Sequence, residues 1–461
     1  MNLDFLRIID DKEKVLCAVS DYVWDNPELA FTEYRSSEKL METLSSEGFT
    51  VEKGLAGIET AFSGTFGSGR PVIGVLGEFD ALSGLGQEAG KAEKCPDGHA
   101  AGHGCGHNLL GTAALGGAIG IKKYLEETGL PGTVIYFGCP GEEGGSGKAF
   151  MAKAGCFDCL DAAVTWHPDS ITEVRAYGEL ANYQVLYKFD GKASHAGAQP
   201  HLGRSALDAV ELMNVGVNFL REHVEQEVRM HYAVTDAGGR SPNVVQAHAE
   251  VLYLMRAPRN EQLPAIYQRI NDIAKGAALM TGTTESHDFI KACSNIILND
   301  TIQQRLGECM AAIPVPVPSE EDLTYARALT ENALSDLPKA DPERPLHPEY
   351  RPYVPDSFEQ KYGSTDVGDV SWICPTVQFA AATEAIGTPG HSWQYATQGK
   401  QPWAHKMMLY AAKVIALLGS ELLSDPVLLK KAQKEFAERT GPDGYICPIP
   451  DGVRPRAMTS L

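Results

Sequence analysis

The amino-acid sequence predicts an α/β protein whose main domain, residues 1–181 and 295–461, is interrupted by an inserted ferredoxin-like α+β domain at 182–294. Three observations predict this. Near-continuous apolar runs at 71–76, 132–138 and 161–166 have the pattern of strands buried on both faces of a sheet. Each run leads into residues with chemistry: Glu78-Phe79-Asp80, then Glu142-Glu143, then His167. In open α/β sheets functional groups gather beyond the carboxyl ends of strands. Between 182 and 292 the pattern changes to strand, helix, strand, strand, helix, strand, the β-α-β-β-α-β order.

In chain order, residues 12–24 and 36–48 read as helices, the second ending near Gly48. The strand at 71–80 leads into a Gly-rich loop at 83–95. Then comes His99-Ala-Ala-Gly-His103-Gly-Cys105-Gly-His107-Asn108, followed by an Ala- and Leu-rich run to about Glu127 that predicts a buried helix. After the strand at 132–138, residues 147–154 read as a short helix and 161–166 as a third strand. In the insert, Tyr183, Val185, Tyr187 and Phe189 alternate, and Ala206, Val210, Met213, Val217 and Leu220 recur at helical spacing. Strands at 228–234 and 245–255, a helix through Leu263, Ile266, Ile270 and Ala277, and a strand at 283–292 complete it. Residues 300–334 are mostly helical but broken at Pro314–Pro318, and the prolines between Pro338 and Pro355 predict a surface loop. A strand at 376–381, a Gly/Pro loop at 387–392 and an apolar helix at 404–418 follow.

With 461 residues, 43% of them hydrophobic and 22% charged, the chain has the profile of a two-domain globular protein. Its net charge of −20 argues against nucleic acid and anionic membrane as partners. The N-terminus lacks a basic stretch followed by an apolar one, and no apolar run reads as long enough to span a membrane. The ten scattered cysteines then imply reduced thiols and a cytoplasmic location. Cys156-x-x-Cys159 has no second pair to complete a structural zinc site and reads as two packed thiols.

Cys105, His107, Glu143, His167 and His391 are all first-choice ligands for a divalent transition metal. Five ligands exceed what one tetrahedral ion needs but suit two ions sharing a bridge, with Cys105 or Glu143 as the bridging residue. Two such ions lower the pKa of a shared water to about 7. Glu142, beside a ligand but itself free, is placed to take the proton of that water and return it to a leaving amine. Asp80 can hydrogen-bond the second nitrogen of a ligating histidine. His195, flanked by Ser194 and Gly197, reads either as a surface residue or as a donor to a developing oxyanion. Asn243 and Arg256 read either as a turn residue and a surface charge, or as a receptor for a substrate carboxylate.

Six motifs in fixed order, Gly77-Glu-Phe-Asp80-Ala-Leu, Gly104-Cys-Gly-His107-Asn, Pro140-Gly-Glu142-Glu143-Gly, Trp166-His167-Pro, Ala193-Ser-His195-Ala-Gly and Pro389-Gly-His391-Ser, resemble the M20 metallopeptidases. The Cys-Gly-His motif points to the amidohydrolase branch, with the aminoacylases and auxin-conjugate hydrolases. Within that branch the chain resembles the p-aminobenzoyl-glutamate hydrolase B-subunit group, which shares Gly-Glu-Phe-Asp-Ala-Leu and Gly-Cys-Gly-His-Asn. The resemblance implies a mixed-sheet, zinc-peptidase-like catalytic domain with two divalent ions (manganese or zinc), and a lid domain that mediates homodimerisation or pairing with a related subunit. It makes Cys105, His107, Glu143, His167 and His391 the ligands, Glu142 the general acid/base and His195 the oxyanion-stabilising lid residue. It implies hydrolysis of N-acyl or N-aroyl amino acids, with a dipeptidase or carboxypeptidase as the alternative. Two positions depart from the pattern: Asn108 stands where most of the branch has Asp, and Glu78 where the wider family has His.

Overall fold

A computed structural model describes residues 3–333, 343–355 and 359–457. Part of the proline-rich segment predicted as a loop at 338–355 lies outside these residues.

The main domain is built on an eight-stranded sheet: β1 Thr50–Lys53, β2 Phe62–Ser68, β3 Val72–Glu78, β4 Gly132–Cys139, β5 Ala162–Asp169, β6 Thr172–Val174 and, far along the chain, Tyr350–Arg351 and Thr376–Ala382. The insert supplies four strands of its own: β7 Ala181–Asp190, β8 Arg229–Asp236, β9 His248–Ala257 and β10 Thr284–Cys293. Tyr350–Arg351 is therefore β11 and Thr376–Ala382 is β12. The large sheet runs β1-β2-β4-β3-β5-β12-β6-β11. The four central strands β4, β3, β5 and β12 are parallel, as their continuous apolar runs predict. Strand β2 pairs antiparallel with β4, and β6 antiparallel with β12, so the sheet is mixed. Sequence periodicity passed over β1, β2, β6 and the two-residue β11, which lies in the proline-rich segment read as a loop. β2 reads Phe-Ser-Gly-Thr-Phe-Gly-Ser, with neither a continuous apolar run nor a helical period, and β6 is only three residues long.

Against the sheet lies the His107–Thr128 helix, buried without a break from His107 to Ile121. It packs against the Pro402–Ser424 helix through small residues. A Cβ on Gly117 would lie 2.4 Å from Ile415, and one on Gly120 2.5 Å from Ala416. Glycine in a helix interior costs up to about 1 kcal/mol relative to alanine, yet here alanine would overpack the contact at a cost of about 1–3 kcal/mol. One sequence expectation is corrected here. The Pro402–Ser424 helix, with 23 residues, is long and apolar enough to cross a membrane by length and composition. It is apolar because it is a core helix: Met407, Met408, Ala411, Ile415 and Leu418 are fully buried in the main hydrophobic cluster.

The inserted sheet runs β8-β9-β7-β10, all antiparallel, with the Ala206–Leu220 and Leu263–Thr281 helices packed on it. That order is the ferredoxin-like arrangement. Burial alternates strictly along β9, as its sequence pattern requires. The hydroxyls of two fully buried tyrosines find partners, Tyr187 Oη donating to Asn271 Oδ1 at 2.6 Å and Tyr253 Oη to Asn214 Oδ1 at 2.5 Å. β8 is an edge strand, and from Ala233 to Asp236 its side chains are exposed.

Candidate metal centre

Gly106 precedes the His107–Thr128 helix with φ +73°, a conformation that favours glycine. That turn brings Cys105 and His107 to the same side of the chain. His107 is fully buried, and its Nδ1 is 2.9 Å from Asp80 Oδ1. The second oxygen of Asp80 accepts the Glu143 N–H at 3.0 Å. One carboxylate thus orients the imidazole and fixes the backbone of the Glu142-Glu143 turn. With Nδ1–H given to Asp80, the lone pair of His107 Nε2 is free for a metal.

His167 is prepared in the same way. Its Nδ1 donates to the Pro168 carbonyl at 2.6 Å, and its Nε2 lies 3.4 Å from Cys105 Sγ. Burial, with the nearby charges of Arg175 and His107, holds His167 well below the usual histidine pKa, so it is neutral and ready to ligate. His391 comes from the Gly/Pro loop. Its φ is +55°, its N–H donates to Gly104 O at 3.0 Å, and its Nε2 stands 3.3 Å from Glu143 Oε2. Although the His391 side chain is 57% exposed, that backbone bond ties it to the Cys105 loop.

All five predicted ligands therefore meet. Donor atoms of Cys105, His107 and His167 lie within 4.8 Å of one another, and so do those of Cys105, Glu143 and His391. Cys105 is common to both sets. Two buried atoms in these sets, His107 Nε2 and Glu143 Oε1, make no hydrogen bond, although Glu78 Oε2 stands 3.3 Å from His107 Nε2. Buried unpartnered polar atoms are costly, and a cation is the partner that sulfur, imidazole and carboxylate donors fit. In the protein alone, burial and the charge on Glu143 push the Cys105 thiol well up. Burial opposes charge on His107, but its hydrogen bond to Asp80 and the nearby Cys105 sulfur outweigh that and raise its pKa well above the ordinary value. A divalent ion would displace these protons.

Glu142 opens the short Glu142–Gly145 helix beside this cluster, and one of its oxygens lies within 4.8 Å of donor atoms of Glu78 and His107. Burial pushes its carboxyl pKa well up, and the charges of Glu78, Asp366 and Glu143 add to that while Lys148 opposes. Behind it stands a buried ion network of which the sequence signalled only Glu78. Lys148 Nζ, fully buried, is 2.6 Å from Glu78 Oε1 and 2.5 Å from Asp366 Oδ1. Lysine in a helix ordinarily reads as a solvent-facing residue, so only its apolar neighbours Ala149, Phe150 and Met151 hinted at burial. A third residue not signalled, Glu33, is fully buried and accepts the Gly141 N–H.

His195 is not among these grouped donor residues. His195 and Asn243 are exposed and adjacent, joined by the Ala196 N–H to Asn243 O bond at 2.9 Å. His195 Nδ1 accepts N–H bonds from Gly197 and Ala198 at 3.2 and 3.1 Å, which leaves Nε2 carrying the proton. Arg256 lies at the end of β9 and donates to Ser364 Oγ at 2.7 Å, across to the main domain.

A cysteine common to both groups, three imidazoles and a carboxylate, with a second carboxylate beside them at the ends of parallel strands, form the donor set of a metal-dependent hydrolase. Residues 181–280 match the peptidase dimerisation domain of the M20 type. The chain is 46% identical to the B subunit of p-aminobenzoyl-glutamate hydrolase from Escherichia coli K12, over 99% of both chains. It is 29% identical to Xaa-Arg dipeptidase of Mus musculus, over 93% of this chain and 90% of that one. The same fold is found in a dinuclear metal binding peptidase of the M20 family from Bacillus subtilis, with a TM-score of 0.55, 16% identity and coverage of 89% of this chain and 99% of that one. The chain belongs to the M20 family of metallopeptidases and amidohydrolases.

Proposed function

We propose that this protein is a dinuclear amidohydrolase that cleaves the amide bond of N-acyl or N-aroyl amino acids, with p-aminobenzoyl-glutamate and acyl-aspartate or acyl-glutamate conjugates as the substrate class. The observation that carries the reading is the pair of ligand sets sharing Cys105, with Glu142 beside them. Cys105, His107 and His167 would hold one ion, and Cys105, Glu143 and His391 the other. Zinc suits the thiolate and imidazoles, whereas manganese suits the carboxylates. When bound, the ions supply Lewis-acid polarisation of a water and of the scissile carbonyl.

The remaining steps belong to the chain. Glu142, whose raised pKa suits a group that takes and returns a proton, accepts one from the attacking water and passes it to the departing amine. His195 Nε2–H donates to the oxyanion as the lid comes down. Arg256 and Asn243 bind the carboxylate of the amino acid released. Asp80 holds His107 and the Glu143 backbone in register.

The lid would pair two copies of the chain. Its edge strand β8 exposes Tyr232 and Val234, and the Ala206–Leu220 helix exposes Leu212, Val215 and Phe219 at helical spacing, as a dimer face would. Pairing with a related second polypeptide is the alternative assembly, consistent with two Escherichia coli relatives that are named as the A and B subunits of one hydrolase. We place the enzyme in the cytoplasm, where its ten unpaired cysteines stay reduced.

The test is Glu142→Ala. It should keep both metals by elemental analysis and lose turnover of p-aminobenzoyl-glutamate and acyl-aspartates at least a hundredfold; turnover at the wild-type rate would end the mechanism. The similarity to Xaa-Arg dipeptidase favours a second reading as a dipeptidase. A panel of dipeptides beside N-acyl and N-aroyl amino acids separates the two by kcat/KM.

A further inference from the structure

The turn that carries Glu142 and Glu143 is fixed at two backbone N–H groups, by two buried carboxyl groups from distant parts of the chain. Asp80 holds the Glu143 N–H. Two residues earlier, Glu33 Oε1 accepts the Gly141 N–H at 2.9 Å. Glu33 lies just before the Tyr34–Ser46 helix but does not cap it. Its side chain points the other way and is fully buried. The same oxygen accepts the Phe31 N–H at 2.9 Å, and Oε2 accepts the Thr60 hydroxyl at 2.9 Å.

Phe31 itself has φ +63°, a conformation uncommon for a bulky residue. Its ring fills the space where a Cβ on Gly141 or Gly145 would stand, 2.8 and 2.3 Å from the nearest ring atom. The Phe31–Glu33 segment is therefore a clasp. The Phe31 ring lies against the glycines of Pro140-Gly-Glu-Glu-Gly-Gly145, and the Glu33 carboxyl anchors that turn's backbone at Gly141, where φ is +67°. Backbone strain of this kind persists only where neighbouring groups enforce it.

We propose that Glu33 is a positioning residue for the Glu142-Glu143 turn: it acts through the Gly141 N–H to set where both glutamate side chains point. The inference rests on the reading of Glu142 as acid/base and Glu143 as ligand. A hydrogen bond to a buried carboxyl, lost on one side of a tight turn, frees Gly141 to rotate. Both side chains then move, while Cys105, His107 and His167 keep their places.

The test compares Glu33→Ala, Glu33→Asp and Glu33→Gln in the full-length protein. Asp keeps the carboxyl group but withdraws the acceptor from Gly141; Gln keeps a carbonyl that can accept both N–H groups and an amide that can donate to Thr60. Ala and Asp should lower kcat at least tenfold with KM changed less than threefold. In chelator competition with zinc they should weaken one of two bound ions about tenfold and leave the other unchanged. Gln should restore kcat to within about threefold of wild type. If Ala does not fold, Asp alone carries the comparison. The proposal is overturned if Ala or Asp keeps wild-type kcat and both zinc affinities, if both ions weaken equally, or if Gln is as impaired as Asp. The zinc titration needs no substrate, so it judges Glu33 even if the wild-type protein proves inactive on every acyl amino acid offered; that inactivity would count against the proposed reaction alone.

Discussion

Asp80→Asn is the sharpest probe of how the cluster is held. Asp80 is buried, and each of its oxygens accepts one bond, from His107 Nδ1 at 2.9 Å and from the Glu143 N–H at 3.0 Å. Burial alone would raise its pKa, but the His107 and Glu143 hydrogen bonds lower it, so it serves as a carboxylate. Asparagine has the same shape and leaves no cavity, but it offers one acceptor instead of two. Its amide must face either the Glu143 N–H, donor against donor, or His107 Nδ1. In the second case the imidazole takes the other tautomer, and a proton occupies the Nε2 that should ligate. Either way one hydrogen bond to a charged group is lost, worth about 1.5–3 kcal/mol. At about 1.4 kcal/mol per tenfold, metal binding should weaken roughly 10–100-fold, the range typical of such supporting carboxylates. Competition of zinc or manganese against a chelator, for wild type and variant, measures it directly. An affinity within twofold of wild type would refute the argument that Asp80 sets the His107 tautomer.

Two further outcomes are expected. Because Cys105 belongs to both ligand sets, Cys105→Ala should bind close to no metal after dialysis, whereas His167→Ala should retain about one ion per chain; elemental analysis distinguishes them, and equal loss in both would count against a shared thiolate. Away from the site, His405 Nε2 is 3.1 Å from Asp21 Oδ1; burial works against its charge, but hydrogen bonds to Asp21 and Cys17 raise its pKa from 6.5 to about 9. A histidine pKa raised by folding stabilises the fold fully below 6.5 and loses that contribution as pH rises through about 9. The ceiling is about 3 kcal/mol, trimmed to about 1–2 by solvent around the partly exposed Asp21. In urea unfolding, the gap between wild type and Asp21→Asn should be present at pH 7 and gone at pH 10; a gap that grows with pH would be inconsistent with this pairing.

The sequence made the parallel core of the sheet legible because β3, β4 and β5 are buried on both faces and so are apolar without interruption. It made the ferredoxin-like insert legible because half-buried strands and helices leave periods of two and 3.6. It did not reveal β2, whose glycines, serines and threonine pair through the backbone alone. The five metal-type residues were visible because Cys, His and adjacent Glu are uncommon beside glycine turns. Their supports were not. Glu33, Lys148 and Asp366 are ordinary charged residues in sequence, and only tertiary packing turns them inward.

Strand β12 lies between β5 and β6, two strands that follow each other almost directly in the chain. It joins them only after some two hundred further residues, including the whole insert, have been made. A nascent or truncated polypeptide ending before Thr376 would already contain Cys105, His107, Glu143 and His167, yet would have a gap through the centre of its sheet and no His391. Long-range pairing of this kind is slow to form and leaves strand edges bare meanwhile. A polypeptide that stops before Thr376 thus lacks both the strand that joins β5 to β6 and one of the five clustered donor residues.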